Sequence, residues 1–129
     1  MKTVQDALDA KGSEVHWIDP LASVFDAAKM MNAHRVGALL VQIDGFLVGI
    51  VSERDYVTKV ILDRAASQRT KVSEIMTRDV ITVGRDESLD RCIELMRFGH
   101  FRHLPVVQDG RPVGIISLRD LFLAAVEPA

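Results

Sequence analysis

The chain holds a single cysteine, Cys92. That excludes an internal disulfide framework and fits a reducing compartment. Aromatic residues make up 5% of the sequence, with one tryptophan and one tyrosine. No apolar run approaches the roughly 18 residues that a bilayer-spanning helix needs, so no membrane association is expected. The opening stretch MKTVQDALDAKG has no apolar segment of the secretory type, and a cytoplasmic location is expected. Charge of one sign is also missing. The net charge of -2 gives no general pull toward nucleic acid. A local basic stretch does exist (Arg97, His100, Arg102, His103, Arg111), but the scarcity of aromatics argues against single-stranded nucleic acid as its partner. Catalytic signatures are absent too. There is no H-E-x-x-H, paired C-x-x-C, phosphate-binding Walker loop or G-x-S-x-G. His100 and His103 stand three apart with no carboxylate or thiolate pair beside them, so no metal site is expected. No nucleophile–base pair is evident, and no catalytic residue is assigned.

What is present is an internal repeat. Residues 46–56 read FLVGIVSERDY and residues 111–121 read RPVGIISLRDL. Residues 23–55 lie on residues 88–120 without a gap. Twelve positions are identical, among them Asp44/Asp109, Gly45/Gly110, Gly49/Gly114, Ser52/Ser117, Arg54/Arg119 and Asp55/Asp120. A tandem repeat means one supersecondary unit used twice, neither copy large enough to bury a core alone. The 129 residues, 48% apolar and 26% charged, suffice for one globular body.

Each copy reads the same way. A capped helical turn leads in, at Thr3–Asp6 or Val72–Met76, followed by a short extended piece, Val15–Ile18 or Val80–Val83. A helix comes next, with Val24, Ala27, Ala28 and Met31 or Leu89, Cys92, Ile93 and Met96 forming its apolar stripe. Cys92 thus occupies a small packing position. A buried strand follows, Val36–Val41 or Leu104–Val107, and Asp-Gly turns the chain into a second strand, Phe46–Val51 or Val113–Ile116. That strand runs into a helix opening at Ser52 or Ser117. The predicted fold is α+β, two β-α-β-β-α repeats: the first over residues 1–62, a polar linker over 63–71, the second over 72–126.

The element with chemical potential is Gly-Ile-(Val/Ile)-Ser-x-Arg-Asp, at a strand-to-helix turn, twice. Ser-x-x-Asp is a capping box, in which hydroxyl and carboxylate satisfy orphan amides. The same geometry suits a ligand. A helix N-terminus offers N–H groups to a phosphate, Ser52 or Ser117 adds a hydroxyl, and Arg54 or Arg119 adds a cation. The carboxylates of Asp55 and Asp120 suit two adjacent ribose hydroxyls. Gly49 and Gly114 lack side chains and would admit a planar base. The two readings are compatible, and physics alone leans to capping.

The repeat resembles the cystathionine-β-synthase (CBS) domain, and the whole chain a tandem CBS pair, or Bateman module. The resemblance rests on VSEIMTRDVITV at 72–83, the helices containing Met31 and Met96, RHLPVV at 102–107 and the two G-I-x-S-x-R-D turns. It implies an intramolecular pseudo-dimer with two clefts between the copies, binding an adenosyl ligand: AMP, ADP, ATP or NAD(H), with S-adenosylmethionine ranked behind. Family roles carried onto this chain put ribose on Asp55 and Asp120 and phosphate on Ser52 and Ser117. They put the base near Val15–Ile18 and Val80–Val83, where Thr82 is the polar contact, and further phosphate contact on Arg102 and His103. Trp17 is a candidate to stack on adenine, or equally a core or dimer residue. The copies differ: Gly37, Ala38 and Leu40 stand where the second has Arg102, His103 and Pro105, and Glu53 stands where it has Leu118. The second copy therefore looks the better anion site.

The expected function is a regulatory module sensing an adenine nucleotide and signalling by conformational change or partner binding, not an enzyme. The alternative is a structural dimerisation module without ligand. A homodimer is expected, with Met1, Val4, Leu8 and the helix over Leu121–Val126 as a candidate face, and an unidentified protein as a possible further partner.

Overall fold

The structure is a computed structural model and describes residues 2–126. In chain order its elements are α1 (Val4–Lys11), β1 (Trp17–Ile18), α2 (Val24–His34), β2 (Ala38–Ile43), β3 (Phe46–Ser52), α3 (Glu53–Tyr56), α4 (Val72–Ile75), α5 (Leu89–Gly99), β4 (His103–Gln108), β5 (Arg111–Ser117) and α6 (Leu118–Val126). The repeat is visible in local detail. Ser23 and Ser88 cap α2 and α5, accepting from Asp26 N at 3.0 Å and Arg91 N at 3.1 Å. Both helices end in a left-handed residue, Arg35 (φ 55) and His100 (φ 57). The hairpins turn on Asp44-Gly45 and Asp109-Gly110, all four at positive φ, the backbone that a two-residue I′ turn demands. Each hairpin carries a register shift at the matching place, Val41/Gln42 and Val106/Val107.

The chain forms two compact units, and these are not the two sequence repeats. One unit is His16–Val80; the other joins residues 2–15 to residues 81–126. In the first, β1 pairs parallel to β2 and β2 antiparallel to β3. Its core gathers Val24, Met31, Leu39, Val51 and Val60 with Val72, Ile75 and Met76 from the lead-in of the second repeat. In the second, β4 and β5 form the hairpin, with Val83 bridged in parallel to Val106. Its core gathers Cys92, Leu104, Ile116 and Leu121 with Val4, Ala7 and Leu8 from the lead-in of the first repeat. Each lead-in helix therefore completes the core of the opposite copy.

Three expectations change. The first lead-in is not a single turn but an eight-residue helix, with Thr3 and Asp6 as a full capping box. The extended pieces are shorter than the patterns suggested: Trp17–Ile18 in one copy, the single bridge at Val83 in the other, with Thr82 outside the ladder. The candidate dimer face loses Val4, Leu8 and Leu121, which are 0%, 2% and 0% exposed because they face their own unit's core. Phe122, Leu123 and Val126 of that face are exposed, and Met1 lies outside the described residues. A further asymmetry follows the first Ser-x-x-Asp turn. There α3 continues as a π-helical segment, Val57–Ile61, closed by Leu62 N donating to Val57 O at 3.0 Å, whereas α6 is regular.

Candidate functional site

Strand and helix meet at both Ser-x-x-Asp turns as the capping signature requires. In the first, Ser52 N and Ser52 Oγ donate to Asp55 Oδ2 at 2.9 and 3.1 Å, and Asp55 N donates back to Ser52 Oγ at 3.2 Å. In the second, Ser117 N donates to Asp120 Oδ2 at 2.8 Å, and Asp120 N to Ser117 Oγ at 3.1 Å. The first helical amide is also spoken for: Glu53 N donates to Gly37 O at 3.0 Å and Leu118 N to Arg102 O at 2.9 Å. The amides expected to face an anion are thus largely consumed by the fold. A phosphate here must rely on side chains.

The glycines serve a different purpose from the one expected. A Cβ on Gly49 would meet Met76 Sδ at 2.6 Å and Thr77 O at 3.0 Å; one on Gly114 would meet Leu8 Cδ2 at 2.7 Å. The space beside each glycine is filled by the lead-in helix or its exit, not held open for a base. Leu8 and Met76 are counterparts, each pressing its lead-in onto the strand that runs into the turn.

Two lysines that the sequence reading missed bind the carboxylates. Lys11 Nζ lies 2.7 Å from Asp120 Oδ2 and donates to Ile115 O at 2.7 Å. Lys59 Nζ lies 3.1 Å from Asp55 Oδ1 and donates to Ile75 O at 2.9 Å. In each unit one ammonium ties lead-in helix, turn and main chain together, but from opposite directions. Lys11 sits on α1 and reaches the turn; Lys59 sits beyond the turn and reaches the end of α4. Lys59 was readable, since it stands four residues after Asp55. Lys11 is 109 residues from Asp120 and became a neighbour only through the packing of Leu8. Burial alone would raise the Asp120 carboxyl; the Lys11 ammonium and the amide and hydroxyl of Ser117 outweigh it and hold it below the usual carboxylate range.

The remaining candidates divide by unit. Ser52, Arg54, Asp55 and Trp17 share His16–Val80, with Trp17 51% exposed on the edge strand and Arg54 exposed. Thr82, Arg102, His103, Ser117, Arg119 and Asp120 share the other unit. There the backbone brings the basic pair to the turn, since His103 is the register partner of Ser117 and Arg102 O receives the Leu118 amide. Gly37 and Ala38 hold the matching places in the first copy. Thr82 instead lines an open hollow of about 520 Å³ with Arg85, Glu87, Arg91 and Leu95, and Ser117 and Asp120 are not part of that lining. Cys92 is fully buried, its thiol pushed up to about 11 by burial and by the nearby Glu87. Among the described residues no three or more His, Cys, Asp or Glu side chains gather as a metal cluster, and no helix is long and apolar enough to cross a membrane.

The sequence model of the CBS domain matches this chain twice, at residues 4–61 and 72–127. The chain belongs to the CBS domain family. It is 37% identical over 133 residues to the mitochondrial CBS domain-containing protein CBSX3 of Arabidopsis thaliana, an alignment covering 96% of this chain and 65% of that protein. The chain thus spans under two thirds of CBSX3. Among solved structures, the CBS domain protein NE2398 matches with a TM-score of 0.92 at 42% identity, covering 98% of each chain. The CBS domain pair of protein MJ0100, solved in complex with 5′-methylthioadenosine and S-adenosyl-L-methionine, matches with a TM-score of 0.85 at 30% identity over 95% of this chain and 94% of that one. The α+β architecture with two CBS repeats is therefore the fold of this protein.

Proposed function

We propose that this CBS-domain chain is a regulatory module that binds an adenine nucleotide (AMP, ADP, ATP or NAD(H)), with the Ser117–Asp120 turn as its principal site. One observation carries this reading. Asp120 Oδ2 is held by Ser117 N and Lys11, the Ser117 hydroxyl lies beside the carboxylate, neither of the two fixed contacts reaches Oδ1, and the side chain is 18% exposed. An ionised carboxylate with one fixed and one open oxygen is an acceptor for a ribose diol. Lys11 supplies a cation at the same turn, and Arg102, whose carbonyl receives the Leu118 amide, and Arg119 stand beside it in the backbone, against the single carboxylate of Asp120. At the first turn Glu53 and Asp55 face Arg54 and Lys59, and both Asp55 oxygens are engaged. A phosphate-bearing ligand is thus favoured at the second turn.

The adenosyl compounds bound to MJ0100 support the chemical class. The cations here favour a phosphorylated member of it, ahead of S-adenosylmethionine. The signal passes through a shift in conformation, or through a homodimer or protein partner, as far as the ligand's differential affinity allows. Calorimetric titration with AMP, ATP and NAD tests this. Asp120→Ala should abolish binding at this site while the protein stays folded, at a cost of about 0.5–2 kcal/mol for the lost cap. The complete capping boxes favour a second reading, a purely structural module. On that reading wild type binds none of these ligands and Asp120→Ala changes only the melting temperature.

A further inference from the structure

The geometry points to Lys11 as a ligand-contacting residue of the Ser117–Asp120 site, one that selects ribosyl ligands carrying an anionic group over uncharged ones. This rests on the nucleotide reading above and deepens it.

Lys11 ends α1. The next residue, Gly12, turns away at φ 101 with its amide donating to Leu8 O at 2.7 Å, so the helix stops where the lysine side chain can reach the turn. An ammonium has three donors. Two are used, on Ile115 O and Asp120 Oδ2, each at 2.7 Å. The third is unclaimed among the described residues, and the side chain is 31% exposed, so an entering group can meet it. The pair Lys11–Asp120 therefore presents one open donor carrying positive charge and, at Oδ1, one open acceptor carrying negative charge. A diol satisfies the acceptor. A phosphate on the same ribose satisfies the donor.

The ammonium is also already in place. Leu8 is packed beside Gly114 one turn earlier on α1, and the two existing bonds fix the side chain's end. Little further ordering is needed to use it, which favours affinity. Lys59 does not offer the same pairing. It sits against Asp55 Oδ1, the other Asp55 oxygen is taken by Ser52, and Glu53 follows in the same turn.

The test compares AMP with adenosine, by calorimetry, on wild type and on Lys11→Met, Lys11→Gln, Lys11→Arg and Lys59→Met. Wild type should prefer AMP. Lys11→Met should lower the preference for AMP over adenosine about tenfold, the loss of one charged hydrogen bond, with any weakening of adenosine through the freed Asp120 carboxylate shared by both ligands. Lys11→Arg should recover part of the preference, and Lys59→Met should leave it intact. Should Lys11→Met fold poorly, Lys11→Gln keeps a donor without the charge, and its ratio of the two affinities decides. Equal weakening of both ligands, or no change in either, overturns the assignment while leaving the nucleotide reading standing. Wild type binding neither AMP nor adenosine overturns the assignment, and the nucleotide reading falls with it when ATP and NAD fail to bind as well.

Discussion

The two Ser-x-x-Asp turns share a backbone and differ in what secures them. Both are full capping boxes following a β-strand, and both are pressed by a hydrophobic side chain from a lead-in helix. Around Asp55 the lysine is local, four residues along, and both carboxylate oxygens are engaged. Around Asp120 it comes from α1, and it shares with the Ser117 amide a single oxygen, Oδ2. The lesson is that a repeated motif conserves its local hydrogen bonds, while its electrostatics are set by whatever the tertiary fold delivers. Identical motifs can thus be unequal sites.

The comparison is most sharply broken at the glycines. Gly114→Ala should cost about 1–3 kcal/mol in chemical denaturation, because the added methyl meets a buried, branched Leu8 that has nowhere to go. Gly49→Ala should cost at least as much, because the methyl meets not only the Met76 sulfur, which can step aside, but also the Thr77 carbonyl at 3.0 Å, which paired backbone bonds tie to Ile50. A smaller loss at Gly49 would mean that the backbone at Thr77 gives way more readily than the Leu8 side chain.

Next in size is the acid limb of the stability curve. Asp120 titrates below the ordinary carboxylate value in the folded protein. Its contribution is therefore complete above about pH 3.9 and is lost as pH falls through the lower folded value. Asp120→Asn should cost about 1 kcal/mol at neutral pH and flatten that limb in a pH series of denaturant melts. A limb unchanged by the substitution would deny the Lys11 contact its role. Smallest is Lys59→Met. Lys59 is 45% exposed, and its loss should shift stability by about 0.5 kcal/mol or less, an effect that shrinks in salt.

The sequence made the turns readable because their signals are local. Serine, two intervening residues and aspartate announce a cap, and Asp-Gly announces the hairpin. The helices α2 and α5 followed from their apolar stripes. The exchange of lead-in helices was hidden, because nothing in Val4, Ala7 and Leu8 says which copy they will cover. The same ignorance put Val4, Leu8 and Leu121 on the candidate dimer face, since a buried stripe and an interface stripe have one pattern. The glycines beside the turns were read as room for a ligand because a glycine reports close approach without naming what approaches. Lys11 was invisible for the same reason as the exchange: its partner is set by tertiary packing.

That exchange also sets the order in which a ribosome can complete the two units. His16–Val80 emerges as one uninterrupted stretch and can close as soon as it is out. Helix α1 is made before that stretch yet finds its core partners after it, since Leu104, Ile116 and Leu121 arrive only once His16–Val80 has been made. At roughly 5–20 residues per second, the apolar face of Val4, Ala7 and Leu8 waits several seconds without its final neighbours. The lead-in segment therefore stays open to chaperones and to wrong partners for as long as the intervening unit takes to be made.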